Sequence, residues 1–85
     1  MTTKTVRIQT DGAVCEIEFD FVTSRLYLKN AAFGYAEIFF HNGIDYDVNP
    51  IRIRGNELRE LDVVIDRVKV RTREAPLELT GIKDG

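Results

Sequence analysis

Two segments in the second half of the chain alternate cationic with apolar residues. Residues 51–54 and residues 67–73 both follow this two-residue period. Their cations are Arg52, Arg54, Arg67, Lys69, Arg71 and Arg73. Because alternate residues of a β-strand share a face, each segment would present its cations on one side. Such a surface binds a nucleic-acid backbone or an acidic protein, unless carboxylates of the same fold neutralise it.

Internal neutralisation is the competing explanation for these cations. The outward-facing carboxylates available for it are Glu16, Glu18, Asp20, Asp45 and Asp47. If the two basic segments were neighbouring strands, facing like charges would be unfavourable, and an anion should lie nearby. Neither segment contains an aromatic residue that would stack on a base, which argues against single-stranded nucleic acid. That anion could be supplied either by the carboxylates of the chain itself or by an acidic partner.

Large apolar side chains occupy consecutive positions in two other segments. Residues 26–28 are Leu-Tyr-Leu and residues 38–40 are Ile-Phe-Phe, so a strand through either would be apolar on both faces. One helix covers only one face, and the other would meet a second sheet or another subunit. We therefore expect self-association or partner binding through Tyr27, Tyr35, Phe39 and Phe40. A compact sandwich, or a helix over residues 31–40, would instead bury these side chains within one chain.

Residue types that perform catalysis or bind metals are sparse. Cys15 is the only thiol and His41 the only imidazole, and they form a nucleophilic pair only if folding places them side by side. Residues 45–49 match the first ligand positions of a calcium loop, but Pro50 stands where that loop requires glycine and Asn56 where it requires glutamate. The sequence contains no glycine-rich phosphate loop and no cysteine cluster with zinc spacing. We expect no enzyme activity, no cofactor and no metal.

Length and composition predict one small domain over residues 1–85, with residues 81–85 as a polar tail. Apolar residues make up 44% and charged residues 31% of the chain, which is typical of a protein that buries a core. The net charge is −2, yet residues 1–50 carry four basic and seven acidic side chains, and residues 51–73 carry seven basic and four acidic ones. Without a signal-peptide pattern, a long apolar run or a second cysteine, we expect a cytoplasmic protein without a membrane partner.

The most specific local pattern predicts an N-terminal β-hairpin. Residues 11–12 are Asp-Gly between two alternating segments, which favours a two-residue turn. This turn places Ile8 opposite Cys15 on the apolar face and Arg7 opposite Glu16 on the polar face. Hydrophobic alternation and charge pairing agree on the same register.

The remaining elements follow from changes of period. We expect strands over residues 35–41 and 51–54, a hairpin at the Asn-Gly of residues 42–43, and a strand from residue 67 onward. Apolar residues at helical spacing predict a helix near 56–66, with one long strand as the alternative. These residues are Leu58, Leu61, Val64, Ile65 and Val68. After Pro76, residues 77–79 are expected to add an edge strand.

The predicted fold class is α+β, a mostly antiparallel sheet of five or six strands with the N-terminal hairpin and one helix near 56–66. An all-β sandwich or barrel is the alternative. The predicted function is a small non-enzymatic protein-binding module, an adaptor, inhibitor or assembly component, which forms homo-oligomers and binds an acidic protein. The predicted partner-binding residues are Tyr27, Tyr35, Phe39, Phe40, Arg52, Arg54, Lys69, Arg71 and Arg73. The alternative is nucleic-acid backbone binding through the basic strands 51–54 and 67–73.

Overall fold

The fold consists of eight β-strands in two antiparallel sheets in a computed structural model that describes residues 1–30, 34–73 and 76–85. The strands are β1 (Thr2–Ile8), β2 (Cys15–Glu18), β3 (Arg25–Asn30), β4 (Tyr35–Phe40), β5 (Ile51–Arg54), β6 (Glu57–Leu61), β7 (Arg67–Arg73) and β8 (Leu77–Lys83). Sheet A has the order β1-β8-β3-β6 and sheet B the order β2-β7-β4-β5. Each sheet alternates strands from the two halves of the chain, as in a double-sheet jelly roll.

The core lies between the two sheets because each strand turns alternate residues inward. Leu79 of sheet A and Ile38 of sheet B are both fully buried in it. Phe19, directly after β2, is also fully buried, and its ring lies against Gly81 of β8 in the opposite sheet. A Cβ at residue 81 would approach the ring to 2.7 Å, so this contact between the sheets requires glycine.

The predicted helix near 56–66 is wrong, and with it the α+β class, because the described residues contain no helix. The segment forms β6 and an irregular connection over residues 62–66. Burial along β6 alternates with the period of a strand, and Leu58, which the helix would have buried, is 58% exposed. Asn56, where the predicted helix would begin, has a φ of 60°, and this left-handed conformation turns the chain from β5 into β6.

The predicted N-terminal hairpin is also wrong, because β1 and β2 belong to different sheets. Ile8 lies opposite Leu77 of β8 instead of Cys15. Between the two strands, Thr10 pairs with Thr72 of β7. The backbone N–H of Thr10 donates to Thr72 Oγ1 at 2.7 Å, and the backbone N–H of Thr72 donates to Thr10 Oγ1 at 2.8 Å. The Asp-Gly turn therefore carries the chain from sheet A to sheet B.

Other expectations have mixed outcomes. The strands over residues 35–40, 51–54 and 67–73 are confirmed as β4, β5 and β7. The helix considered over residues 31–40 is absent from residues 35–40, and residues 31–33 lie outside the described part of the chain. The strand expected at an edge after Pro76 is instead the central strand β8, which also includes residues 81–83 of the expected tail. The sheets hold eight described strands, not five or six, and form the sandwich of the all-β alternative without closing into a barrel.

The strand order gathers the connections at the two ends of the sandwich. Residues 19–24, 41–50 and 62–66 lie together at the end that also holds the start of β1 and the end of β8. We call this the loop end. The longest dimension of the Cα trace is 35 Å. Within the described ranges there is no helix with the length and apolar character of a membrane span.

Candidate functional site

The outer face of sheet B carries all six cations of the two basic segments. They are Arg52 and Arg54 on β5, and Arg67, Lys69, Arg71 and Arg73 on β7. The two strands are not neighbours, because β4 lies between them. This order avoids direct pairing of like charges. It also inserts the outward residues of β4, which are Tyr35, Glu37 and Phe39, among the cations.

Glu37 neutralises part of this charge from the centre of the face. It lies opposite Arg52 on β5 and opposite Arg71 on β7. Nε and Nη2 of Arg71 both donate to Glu37 Oε1, at 2.8 and 2.5 Å, and Arg52 Nη2 lies 3.6 Å from Oε2. The Glu37 side chain is only 7% exposed, so two guanidinium groups take the place of most of its water. Glu37 is thus an internal counter-charge that sequence analysis did not identify.

At the end of this face farthest from the loop end, two arginines flank an aromatic ring. Tyr35 lies opposite Arg54 on β5 and opposite Arg73 on β7, and neither arginine forms a salt bridge with another described residue. The Arg52 guanidinium lies 4.6 Å from the centre of the Tyr35 ring, a cation–π contact. The premise that no aromatic residue lies among these cations is therefore wrong, since β4 supplies Tyr35. We call Arg52, Arg54, Arg71 and Arg73, with Tyr35 and Glu37, the arginine face.

Nearer the loop end, the same side of sheet B is neutralised by its own carboxylates. Glu16 lies opposite Lys69, and Glu18 lies opposite Arg67. Tyr46, from the β4–β5 connection, packs over them, with Lys69 Nζ 4.4 Å from its ring centre and its hydroxyl donating to the Glu16 carboxylate. Burial, and then this hydrogen bond, raise the pKa of Tyr46 above its usual value. Lys69, predicted to bind a partner, is thus engaged within the fold.

The loop end differs from the arginine face in both charge and polarity. Its three connections contain five aspartates and no lysine or arginine. The aspartates are Asp20, Asp45, Asp47, Asp62 and Asp66. Its large exposed aliphatic residues are Val22, Ile44, Val48 and Val64, each at least 50% exposed. Val22 and Val64 line a groove of about 240 Å³ together with residues 41–43 and 65–66. The sequence signal for this surface was the one or two aspartates in every second connection, none of which is offset by a lysine or arginine of the same connection.

The β4–β5 connection projects from the loop end as a short hairpin. His41 and Tyr46 form an isolated bridge, and their rings pack edge to face with centres 4.9 Å apart. The side-chain oxygen of Asn42 accepts hydrogen bonds from the backbone N–H groups of Ile44 and Asp45, both at 2.9 Å. The turn expected at the Asn-Gly pair lies at this tip, but it closes only this isolated bridge, and β4 pairs with β5 instead of with a strand over residues 44–48. These contacts hold Ile44 at the tip with its side chain 92% exposed.

The four aromatic residues predicted as one surface lie in three different places. Tyr27 is on the outer face of sheet A, opposite Thr80. Tyr35 and Phe39 point outward from sheet B, and Phe40 packs against the core. The second sheet covers the inner side of both doubly apolar strands, as the sandwich alternative expected. Of the four, Tyr35 alone belongs to the arginine face.

The two residues considered as a nucleophilic pair lie on opposite faces of sheet B. Cys15 faces the interior opposite Val70, whereas His41 packs against Tyr46 on the outer face. Over the described ranges, no three side chains of His, Cys, Asp or Glu come together in a group able to hold a metal ion. No protein-family model, curated protein or solved structure matches the chain.

Proposed function

We propose that the chain is a non-enzymatic protein-binding module that binds acidic protein surfaces through the arginine face and self-associates. The observation that carries the proposal is the row formed by Arg54, Tyr35 and Arg73 across three neighbouring strands. Tyrosine and arginine are the residue types most enriched at the energetic centres of protein interfaces. Arginine also binds carboxylates with two parallel hydrogen bonds, which favours an acidic partner.

The arginine face is supported by the rest of sheet B. Tyr35 starts β4, which has a neighbouring strand on each side. Arg52 contacts the Tyr35 ring and Glu37, and Glu37 holds Arg71. Side chains that are already held in place lose less conformational entropy on binding, so the surface is suited to bind with little rearrangement.

The alternative, nucleic-acid backbone binding through strands 51–54 and 67–73, is supported by the interleaved Tyr35 ring. Two observations favour a protein instead. Three carboxylates, Glu16, Glu18 and Glu37, share the outer face with the six cations. The rest of the chain carries six basic and eleven acidic side chains, which repel an extended polyanion. A folded acidic partner contacts the arginine face without lying along the acidic loop end.

The other features support a non-catalytic role in the cytoplasm. The only thiol and the only imidazole point to opposite faces of sheet B, and the imidazole packs against Tyr46. Cys15 is also the single cysteine of the chain and has no disulfide partner within it. A free thiol persists best in a reducing compartment, so we propose a cytoplasmic location.

Affinity capture with charge-neutralised variants tests the proposed function. The purified chain is immobilised and exposed to a nuclease-treated extract of its native host, in parallel with the variant R54Q/R73Q. We expect proteins held by the original chain to be lost from this variant, because its arginine face has lost two of four cations. The matched control is R7Q/K29Q, which removes two cations from the outer face of sheet A and should retain the same proteins.

Two results would contradict the proposal. In the first, all three chains retain the same proteins, which would place binding elsewhere. In the second, the chain binds a labelled 20-nucleotide DNA or RNA at about 50 mM salt, weakens steeply with added salt, and retains no protein. That pattern would establish the nucleic-acid alternative.

A further inference from the structure

We infer that one acidic surface bound by the arginine face is the loop end of a second copy of this chain, an inference that rests on the proposed function. The two surfaces lie at opposite ends of sheet B. Tyr35 begins β4, and Arg54 and Arg73 end β5 and β7. The loop end follows β4 and precedes β5 and β7. The arginine face therefore meets a loop end only when two copies associate.

The charges of the two surfaces are complementary. The arginine face holds four arginines and the single carboxylate of Glu37. At the loop end, Asp45, Asp47 and Asp62 form no salt bridge with any described residue. Contact between copies would bring these aspartates to Arg54 and Arg73, which also lack such a partner within the described fold. Complementary charge of this kind directs association and selects its register.

Apolar groups are present on both surfaces as well. The loop end offers Ile44 at the hairpin tip and the groove beside Val22 and Val64. The arginine face offers the Tyr35 ring. An apolar centre with a charged rim is the usual composition of a protein–protein contact.

The dimensions of the sandwich limit the strength of this contact. Across its long axis the Cα trace measures 25 × 17 Å, so the loop end offers less than the roughly 800 Å² per partner of a standard interface. Small contacts with exposed charges are weak and sensitive to salt. The two surfaces also differ, so the contact is heterologous. Each added copy leaves one arginine face and one loop end unoccupied, so the assembly can grow until a ring closes.

Sedimentation equilibrium of charge-reversed variants tests the contact. We expect the average mass of the original chain to rise between about 10 μM and 1 mM at low salt and to return toward the monomer at about 500 mM salt. R54E/R73E and D45K/D47K should each weaken association about tenfold or more. The chain with all four substitutions has the original net charge of −2. Its two surfaces again carry opposite charges, so its association should recover.

The matched control joins R54E/R73E to E60K/E78K, whose two positions lie on the outer face of sheet A. It also keeps the net charge of −2, but its new lysines lie outside the loop end, so it should remain monomeric. Equal recovery in the control would overturn the inference, because net charge alone would then explain association. Circular dichroism and urea midpoints establish that each variant is folded. If a reversed variant does not fold, R54Q/R73Q and D45N/D47N replace it, and unchanged association in both would also refute the contact.

Failure of this inference is distinguishable from failure of the proposed function. A chain that stays monomeric at about 1 mM, yet captures a protein through the arginine face, would exclude the second copy and leave the proposed function intact. Capture and self-association that are both unaffected by R54Q/R73Q would exclude both.

Discussion

Replacement of the buried Glu37 by glutamine is expected to destabilise the fold while strengthening binding to an acidic surface. Glutamine keeps one oxygen acceptor and nearly the same volume. It loses the negative charge that Arg71 contacts at 2.5 and 2.8 Å and that Arg52 approaches to 3.6 Å. The two arginines then remain on the arginine face without a counter-charge between them. Stability and binding should therefore change in opposite directions.

The loss of stability is limited by the exposure of the two arginines, whose side chains are 40% and 61% exposed. A hydrogen bond to a charged group contributes about 1.5–3 kcal/mol. Since the released guanidinium groups regain contact with water, we expect E37Q to lower the free energy of unfolding by about 1–2 kcal/mol. In a domain of this size that change lowers Tm by about 5–15 °C.

The gain in binding follows from the same lost charge. Removing the carboxylate raises the net charge of the arginine face by one. A partner carboxylate about 7 Å away in water gains about 0.6 kcal/mol from one additional unit charge, which is roughly a threefold increase in affinity. The gain should shrink as salt is added, because exposed charges are screened beyond about 10 Å at 0.1 M salt.

Urea unfolding and sedimentation equilibrium measure the two effects on the same preparations. E18Q is the matched control, because Glu18 lies on the same side of sheet B but its side chain is 61% exposed and 3.9 Å from Arg67. We expect E18Q to change the free energy of unfolding by less than about 0.5 kcal/mol. If E37Q lowered the free energy of unfolding as little as E18Q, or if it weakened association, Glu37 would not be the counter-charge of the arginine face.

Three further predictions test the fold. Gly81→Ala should cost about 1–3 kcal/mol of unfolding free energy in urea, because the new methyl group would lie 2.7 Å from the Phe19 ring. Phe19→Leu in the same chain should recover part of this loss, and no recovery would contradict the contact between sheets. Thr72→Val should cost about 1–3 kcal/mol, since Thr10 would lose its side-chain partner on β7, and a neutral urea midpoint would argue against that pairing. The raised pKa of Tyr46 means that its contribution to stability is complete below the usual value of about 10 and is lost as pH rises beyond it. Tyr46→Phe should therefore reduce the fall in stability as the pH rises above about 10, and an identical fall in both chains would exclude this role.

Alternation in the sequence predicted individual strands but not their partners. β5 and β7 were predicted because their apolar residues recur with a period of two, and β4 because an Asn-Gly turn signal follows it. The same alternation misled the prediction of the N-terminal hairpin, since Ile8 and Cys15 face the interior in either arrangement. The deciding hydrogen bonds join Thr10 to Thr72, 62 positions away, which no local pattern reports. Leu58 and Leu61 of β6 fitted a helix equally well. Their spacing alone does not say which of the two will be buried by a neighbouring element.

For the candidate site, too, the sequence predicted individual residues but not which of them lie together. Residues 51–54 and 67–73 were each expected to present their cations on one side of a strand, and both do. That Tyr35 and Glu37 lie among them depends on β4 separating β5 from β7, which is a property of the strand order. The loop end depends on the same order, because its three connections are about twenty residues apart in sequence. Long-range pairing, more than composition, therefore creates both surfaces.

This strand order also separates the residues of the proposed binding surfaces from those of the core. Because neighbouring strands are antiparallel, successive connections lie at opposite ends of the sandwich. The aspartates of the loop end therefore lie at one end of the molecule, outside the core. At the other end, Arg54 and Arg73 lie on the outer face, where substitutions usually change stability little. Glu37 is different, because it is buried and yet sets the charge of the arginine face. At Glu37, a gain in binding must therefore be accompanied by a loss of stability. A variant with both effects would identify the arginine face as the binding surface whose positive charge the fold partly neutralises.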